Sequence, residues 1–230
     1  MGLRVFVGYD PTEDDAYRVC VASLKRHAKV EVQPLKLDEL RQAGLYTRQH
    51  VRENGQLLDH FTRQPFTTEF TFSRYLVPAV AGWKGWALFC DCDFLFRADV
   101  AELFALADPR YAVLVCQQRH APAVGRKMEG QEQYAYWRKN WSSLMLWNCA
   151  HPAHARLVYR ANSWQKDLLH ELAWLDDELV GELPPCWNWI EGVTHGEAKA
   201  VHFTAGLPRM PGYEHCAYAD EWRDELRGAR

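Results

Sequence analysis

Residues 86–96 read WALFCDCDFLF, and this stretch decides the fold. An apolar run from Trp86 to Cys90 empties directly into Asp91, Cys92 and Asp93. Five consecutive apolar residues predict a strand buried on both faces, the usual state in a parallel sheet covered by helices. In open α/β sheets, ligands bind at the carboxyl ends of the strands, where the two carboxylates stand. Residues two apart in extended chain point to the same side, so Asp91 and Asp93 aim at one point while Cys92 turns away. Two hard oxygen donors suit Mn²⁺ or Mg²⁺, with substrate phosphates filling other positions. The arrangement points to an enzyme that handles a nucleotide diphosphate.

The flanking sequence supplies the rest of an α/β domain. Residues 3–7 predict a first buried strand, broken by Gly8, Tyr9, Asp10 and Pro11. A helix follows, with Ala16, Val19, Cys20, Ser23, Leu24 and His27 at helical spacing and Thr12 or Asp14 as its cap. Residues 30–37 predict a second strand, which completes a βαβ opening. Residues 38–66 are polar and irregular, the length of a lid or an insertion. A helix is expected over 67–77, ended or kinked by Pro78. After the opening strand, Asp99 is expected to cap a short helix, with Glu102 at the capping-box position. Further strands are expected at 111–116, 142–147 and 200–203, a helix over 164–179 and a surface helix over 220–227. Residues 117–137 read as loop. The fold class is α/β, with a mostly parallel central sheet flanked by helices.

Composition narrows the function. The chain has 230 residues, 48% of them hydrophobic, enough for one domain with a sizeable core. A net charge of −3 does not favour a nucleic-acid partner. No apolar run approaches membrane-spanning length, and no charged segment with a long apolar run precedes the first strand. Peripheral membrane contact stays open, as does the oligomeric state. The seven cysteines lie mostly inside apolar segments, which predicts reduced thiols in a cytoplasmic protein. No second Cys or His pair stands at zinc-finger spacing beside Cys90 and Cys92.

Several separated elements together resemble the family-eight glycosyltransferases. They are FSRYLVP at 72–78, ALFCDCDFLFRADVAELF from residue 87, LPPCWN at 183–188 and HFTAGLP at 202–208, with a similar nucleotide-binding opening at the N-terminus. The resemblance implies the GT-A fold, a Rossmann-like nucleotide-diphospho-sugar transferase, in one domain of residues 1–230. It implies a retaining, metal-dependent hexosyltransferase that takes a UDP-sugar as donor. The acceptor would be a glycan, a lipid-linked molecule or a small molecule.

The resemblance also implies roles. Asp91, Asp93 and His202 would ligate Mn²⁺ or Mg²⁺, and imidazole beside carboxylates favours Mn²⁺. Arg74 would face the diphosphate or hold the Asp pair. Tyr9 and Asp10 would hold the uracil and ribose, and a plain Asp-Pro turn explains the same residues. Asp176 and Asp177 are the catalytic candidates: they would contact the donor sugar, with a nucleophile role for one of them a minor alternative, and an acidic solvated helix face explains them almost as well. Trp187 and Asn188 would line the site. Cys92, Gly206 and Arg209 fall among the donor-binding residues.

Two departures stand out. Trp141, Ser142 and Ser143 replace an expected Asn-Ala-Gly, and Leu207 or Pro208 stands where a diphosphate-binding Lys is usual. Arg209 is the nearest cation. These departures support one alternative, a catalytically weak nucleotide-sugar-binding protein of the same fold. A sugar-phosphate nucleotidyltransferase is the other alternative, and the single glycine after the first strand argues against it.

Overall fold

The computed structural model describes residues 2–53, 56–118, 125–126, 132–133, 138 and 140–229. The strands are β1 (Leu3–Gly8), β2 (Val30–Leu35), β3 (His50–Glu53), β4 (Gln56–Asp59), β5 (Pro65–Phe66), β6 (Trp86–Cys90), β7 (Phe94–Phe96), β8 (Val113–Val115), β9 (Gly125–Arg126), β10 (Glu132–Gln133), β11 (Leu144–Asn148), β12 (Val180–Glu182) and β13 (Ala200–His202). The helices are α1 (Asp14–His27), α2 (Leu37–Gln42), α3 (Phe70–Ser73), α4 (Val77–Val80), α5 (Ala101–Phe104), α6 (Leu157–Ser163), α7 (Lys166–His170) and α8 (Ala219–Gly228). No helix among the described residues is long and apolar enough to cross a membrane.

The central sheet has the order β12-β8-β11-β6-β1-β2. Pairing is parallel for β1 with β2, β1 with β6 and β8 with β12, and antiparallel for β11 with both its neighbours. The apolar run of β6 is therefore central, and residues from Ala87 to Cys90 are fully buried. α1 covers one face with Ala16, Val19, Cys20, Ser23 and Leu24, while His27 is exposed. Its acidic start and basic end both suit the helix dipole. α8 is less superficial than its charge suggests. Trp222 is buried, and Glu225 pairs with Arg26 of α1 at 2.5 Å.

Four local expectations change. The α1 region is capped by Asp10 rather than by Thr12 or Asp14, because the chain makes a 3-10 turn at Pro11–Glu13 before the helix begins. The helix at 67–77 is instead α3, a 3-10 turn at Arg74–Leu76 and α4, with Pro78 inside the first turn of α4, where a missing N–H costs nothing. The helix at 164–179 is only the short α7, since Leu172 takes a positive φ of 54° and turns the chain. Asp99 accepts from the Ala101 amide at 2.8 Å but Val100 is the cap residue, and Glu102 instead pairs with Lys199.

The polar segment at 38–66 is structured, with α2 and an antiparallel sheet of order β3-β4-β5. A buried ion pair ties it down. Arg48 pairs with Asp59, stacks 3.9 Å from the Phe72 ring centroid and donates to the carbonyls of Ala161 and Trp164. Asp59 also caps the next turn, accepting from the amides of Phe61 at 3.1 Å and Thr62 at 2.8 Å. Burial alone would raise the Asp59 pKa, but the Thr62 amide and Arg48 hold it below the usual carboxylate range. Breaking a buried pair strands an uncompensated charge. Asp59→Ala is therefore expected to lower the unfolding free energy by about 3–5 kcal/mol in chemical denaturation.

Candidate metal centre

Asp91 and Asp93 do converge, but not through strand alternation. The chain turns at Cys92 and Asp93 between β6 and β7. β7 pairs antiparallel with β13, which sets Phe94 opposite His202. The Phe203 amide donates to the Asp93 carbonyl at 3.0 Å and closes the corner. One ligand atom from each of Asp91, Asp93 and His202 then lies within 4.8 Å of the others. The carboxylates are 14% and 12% exposed and the imidazole 2%, so the ligand set has a buried floor and a small opening.

Each ligand is braced. The His202 ring lies flat on Phe94, with centroids 4.4 Å apart and planes 8° from parallel. His202 Nδ1 is 2.8 Å from Asn188 Oδ1, and Asn188 Nδ2 donates to the Asn140 carbonyl at 3.0 Å. That second bond fixes the amide so that its oxygen faces the ring, and Nδ1 carries the proton. Nε2 is left for a cation, on the side where Asp93 Oδ1 sits 3.3 Å away. Arg74 Nη1 reaches Asp91 Oδ1 at 2.9 Å and the Ser142 carbonyl at 2.9 Å. The Asp91 amide donates to the Ser143 carbonyl at 2.9 Å. Main-chain carbonyls of Asn140, Ser142 and Ser143 thus brace two of the three ligands. Two carboxylates and one imidazole are a donor set that could hold a divalent cation.

No family model matches the chain. Over 233 residues it is 41% identical to Protein CDI of Arabidopsis thaliana, covering 97% of this chain and 85% of that protein. The chain belongs to the Protein CDI family. Solved structures give the architecture. The glycosyltransferase GlyE of Streptococcus pneumoniae TIGR4 superposes with a TM-score of 0.60 at 15% identity, over 98% of this chain and 60% of GlyE. An active-site mutant of LgtC gives 0.61 at 14% identity, over 99% of this chain and 96% of LgtC. LgtC has also been solved as a galactosyltransferase in complex with donor and acceptor sugar analogs, with a TM-score of 0.55. At these identities the likeness is one of fold, and the fold is GT-A.

In this member of the Protein CDI family, other expected residues are placed differently. Asp10 is buried and its carboxylate is engaged, accepting from Thr12 N at 2.9 Å, Thr12 Oγ1 at 2.7 Å and Glu69 N at 3.0 Å. Tyr9 leans edge-on against Tyr17 at 5.1 Å and sits beside Asp14. Gly8 before them leaves room for Phe70, which a Cβ would meet at 2.5 Å. Trp187 is 2% exposed and lies under Lys199, so protein covers a ring that was expected to line the site. Asn188 is fully buried and holds His202 instead of lining the cleft. Gly206 makes room for the Tyr213 ring. Arg209 pairs with Asp15 and reaches toward the Thr12 carbonyl, at the start of α1. Asp176 and Asp177 are exposed, and Asp177 pairs with Arg138. They lead into β12, three places from β6 in the sheet.

Cys92 is buried, and its thiol donates to Glu13 Oε2 at 3.0 Å. Burial pushes the thiol pKa well above its ordinary value. Glu13, which the sequence reading passed over, thereby joins the acidic centre. Desolvation and then the neighbouring charge of Asp93 push its pKa up to about 7 from 4.5. Between those values the unfolded chain has lost a proton that the folded chain keeps. The contribution of Glu13 to stability therefore falls as pH rises from 4.5 to about 7 and is level above. His154, buried and lowered to about 4, slopes the opposite way up to 6.5. Thermal melts across this range are expected to show a smaller loss toward neutral pH in Glu13→Gln than in the wild type. Mn²⁺ is expected to stabilise the wild type more above that range than within it.

Proposed function

We propose that this chain is a metal-dependent glycosyltransferase that moves a hexosyl group from a nucleotide sugar to an acceptor hydroxyl. The observation that carries the reading is the convergence of Asp91, Asp93 and His202 at the carboxyl end of β6 in a GT-A fold. The donor is proposed as a UDP-sugar, the cation as Mn²⁺ and the outcome as retention, with residues 1–230 acting as one GT-A domain. The resemblance to the family-eight pattern supports these finer assignments. Seven free cysteines fit a reducing, cytoplasmic setting.

When bound, the cation would stabilise the negative charge that gathers on the departing diphosphate. The chain's residues prepare for that. Asp91 and Asp93 offer oxygens, and His202 offers Nε2 with its tautomer set by Asn188. Arg74 is committed to Asp91 and Ser142, so it fixes a ligand rather than meeting the phosphates directly. The buried floor excludes water and strengthens the electrostatics. Front-face attack lets the departing phosphate oxygen take the acceptor's proton, so no protein nucleophile is needed. Neither Asp176 nor Asp177 is needed as a nucleophile in this reading; both are exposed, and Asp177 pairs with Arg138.

One observation favours a second reading, a binding protein with weak turnover. Leu207 and Pro208, one of which stands where the resembled pattern carries a cation, are both buried. Release of UDP from a UDP-sugar separates the two readings, because only an enzyme turns over.

Both readings share one test. UDP with Mn²⁺ is expected to raise the melting temperature by about 5–10 °C at saturating ligand. EDTA should abolish the shift, and Asp93→Asn should abolish it even with Mn²⁺. An equal shift in EDTA would sink the metal assignment.

A further inference from the structure

The turn that braces the metal ligands is itself gripped from behind. Ser142 offers its carbonyl to Arg74 Nη1 at 2.9 Å. Its hydroxyl oxygen lies 2.8 Å from His170 Nδ1, and the same nitrogen lies 2.9 Å from the Tyr75 hydroxyl. Arg74 and Tyr75 are consecutive in one 3-10 turn. That turn therefore takes hold of Ser142 twice, directly at the carbonyl and through His170 at the hydroxyl. Ser143, the next residue, holds the Asp91 amide. His170 is brought in by the last turn of α7, and the segment after it lays Trp174 edge-on against Tyr75 at 5.6 Å.

Burying an imidazole and two hydroxyls is costly unless all are hydrogen-bonded, and a satisfied network of this kind rigidifies the groups it joins. The polar trio sits one residue from the main-chain contact to Asp91.

We propose that His170 is a positioning residue of the metal centre, setting through Ser142 the place of the Arg74 guanidinium and of the Asp91 carboxylate. This rests on the metal-centre reading above. His170 does not touch the cation or the donor. It acts by keeping Ser142 in the one orientation in which its carbonyl meets Arg74 and the following carbonyl meets Asp91.

The test uses Mn²⁺ binding, followed by electron paramagnetic resonance with UDP present, alongside melting temperature. His170→Leu removes the nitrogen, and His170→Asn returns an oxygen near the place of Nδ1. Ser142→Ala removes the hydroxyl and leaves the carbonyl. His170→Leu and Ser142→Ala are each expected to weaken Mn²⁺ binding about 10-fold. Combining them should cost no more than either alone, because they act on one contact. His170→Asn should recover most of the affinity while melting no higher than His170→Leu, which a merely structural role would not produce. If His170→Leu does not fold, Ser142→Ala and His170→Asn carry the same comparison. Wild-type affinity in Ser142→Ala, or losses that multiply in the double variant, would overturn the proposal. A wild-type protein that binds no Mn²⁺ would instead overturn the metal centre itself.

Discussion

The site depends on one constraint, the backbone of the short turn that precedes β11. Asn140 sits in the left-handed region with φ of 64°, and the Trp141–Ser143 3-10 turn follows. In that conformation three closely spaced carbonyls act as supports. The Asn140 carbonyl fixes Asn188 and through it His202, the Ser142 carbonyl fixes Arg74, and the Ser143 carbonyl fixes the Asp91 amide. Asp91 and His202, far apart in sequence, are thereby referred to a common frame. The antiparallel direction of β11 makes this possible. Because β11 runs against β6, its beginning rather than its end lies at the ligand-binding edge, with Leu144 beside Cys90.

The architecture was legible where burial was complete. The apolar run before Asp91 announced a central strand, and β1, α1 and β2 followed from period and spacing. The antiparallel insertion at β11 was not legible, because a strand buried on both faces shows the same apolar run in either direction. The sheet inside residues 38–66 escaped for another reason. Its stability comes from Arg48 and Asp59, a pair whose partners lie in α6 and just after it, and no local pattern reveals such a contact.

Among site residues, the ligand types were legible and their supports were not. Asp91 and Asp93 stood out by chemistry and spacing, while His202 entered only through the resemblance. Asn188 and Trp187 were read as faces of a cleft, yet they are buried, and Asn188 works at second hand on His202. Glu13 was hidden in a run of acids that reads as an ordinary helix start, though the Asp10 spacing at the tip of β1 offered a signal. Asp10 itself turns out to secure that tip by taking the Thr12 and Glu69 amides.

The supports around Asn140 have a consequence for how such a site changes over generations. Every one of the three is a main-chain oxygen, so the turn needs a backbone path first, and particular side chains only where they hold that path, as at Asn140 and Ser142. Trp-Ser-Ser can stand where the resembled pattern has Asn-Ala-Gly, provided the backbone path survives. Side chains there become free to recruit new neighbours, as Ser142 has done. Lineages can therefore diverge at the letters of a motif while conserving its shape, and a search by letters alone passes over the kinship.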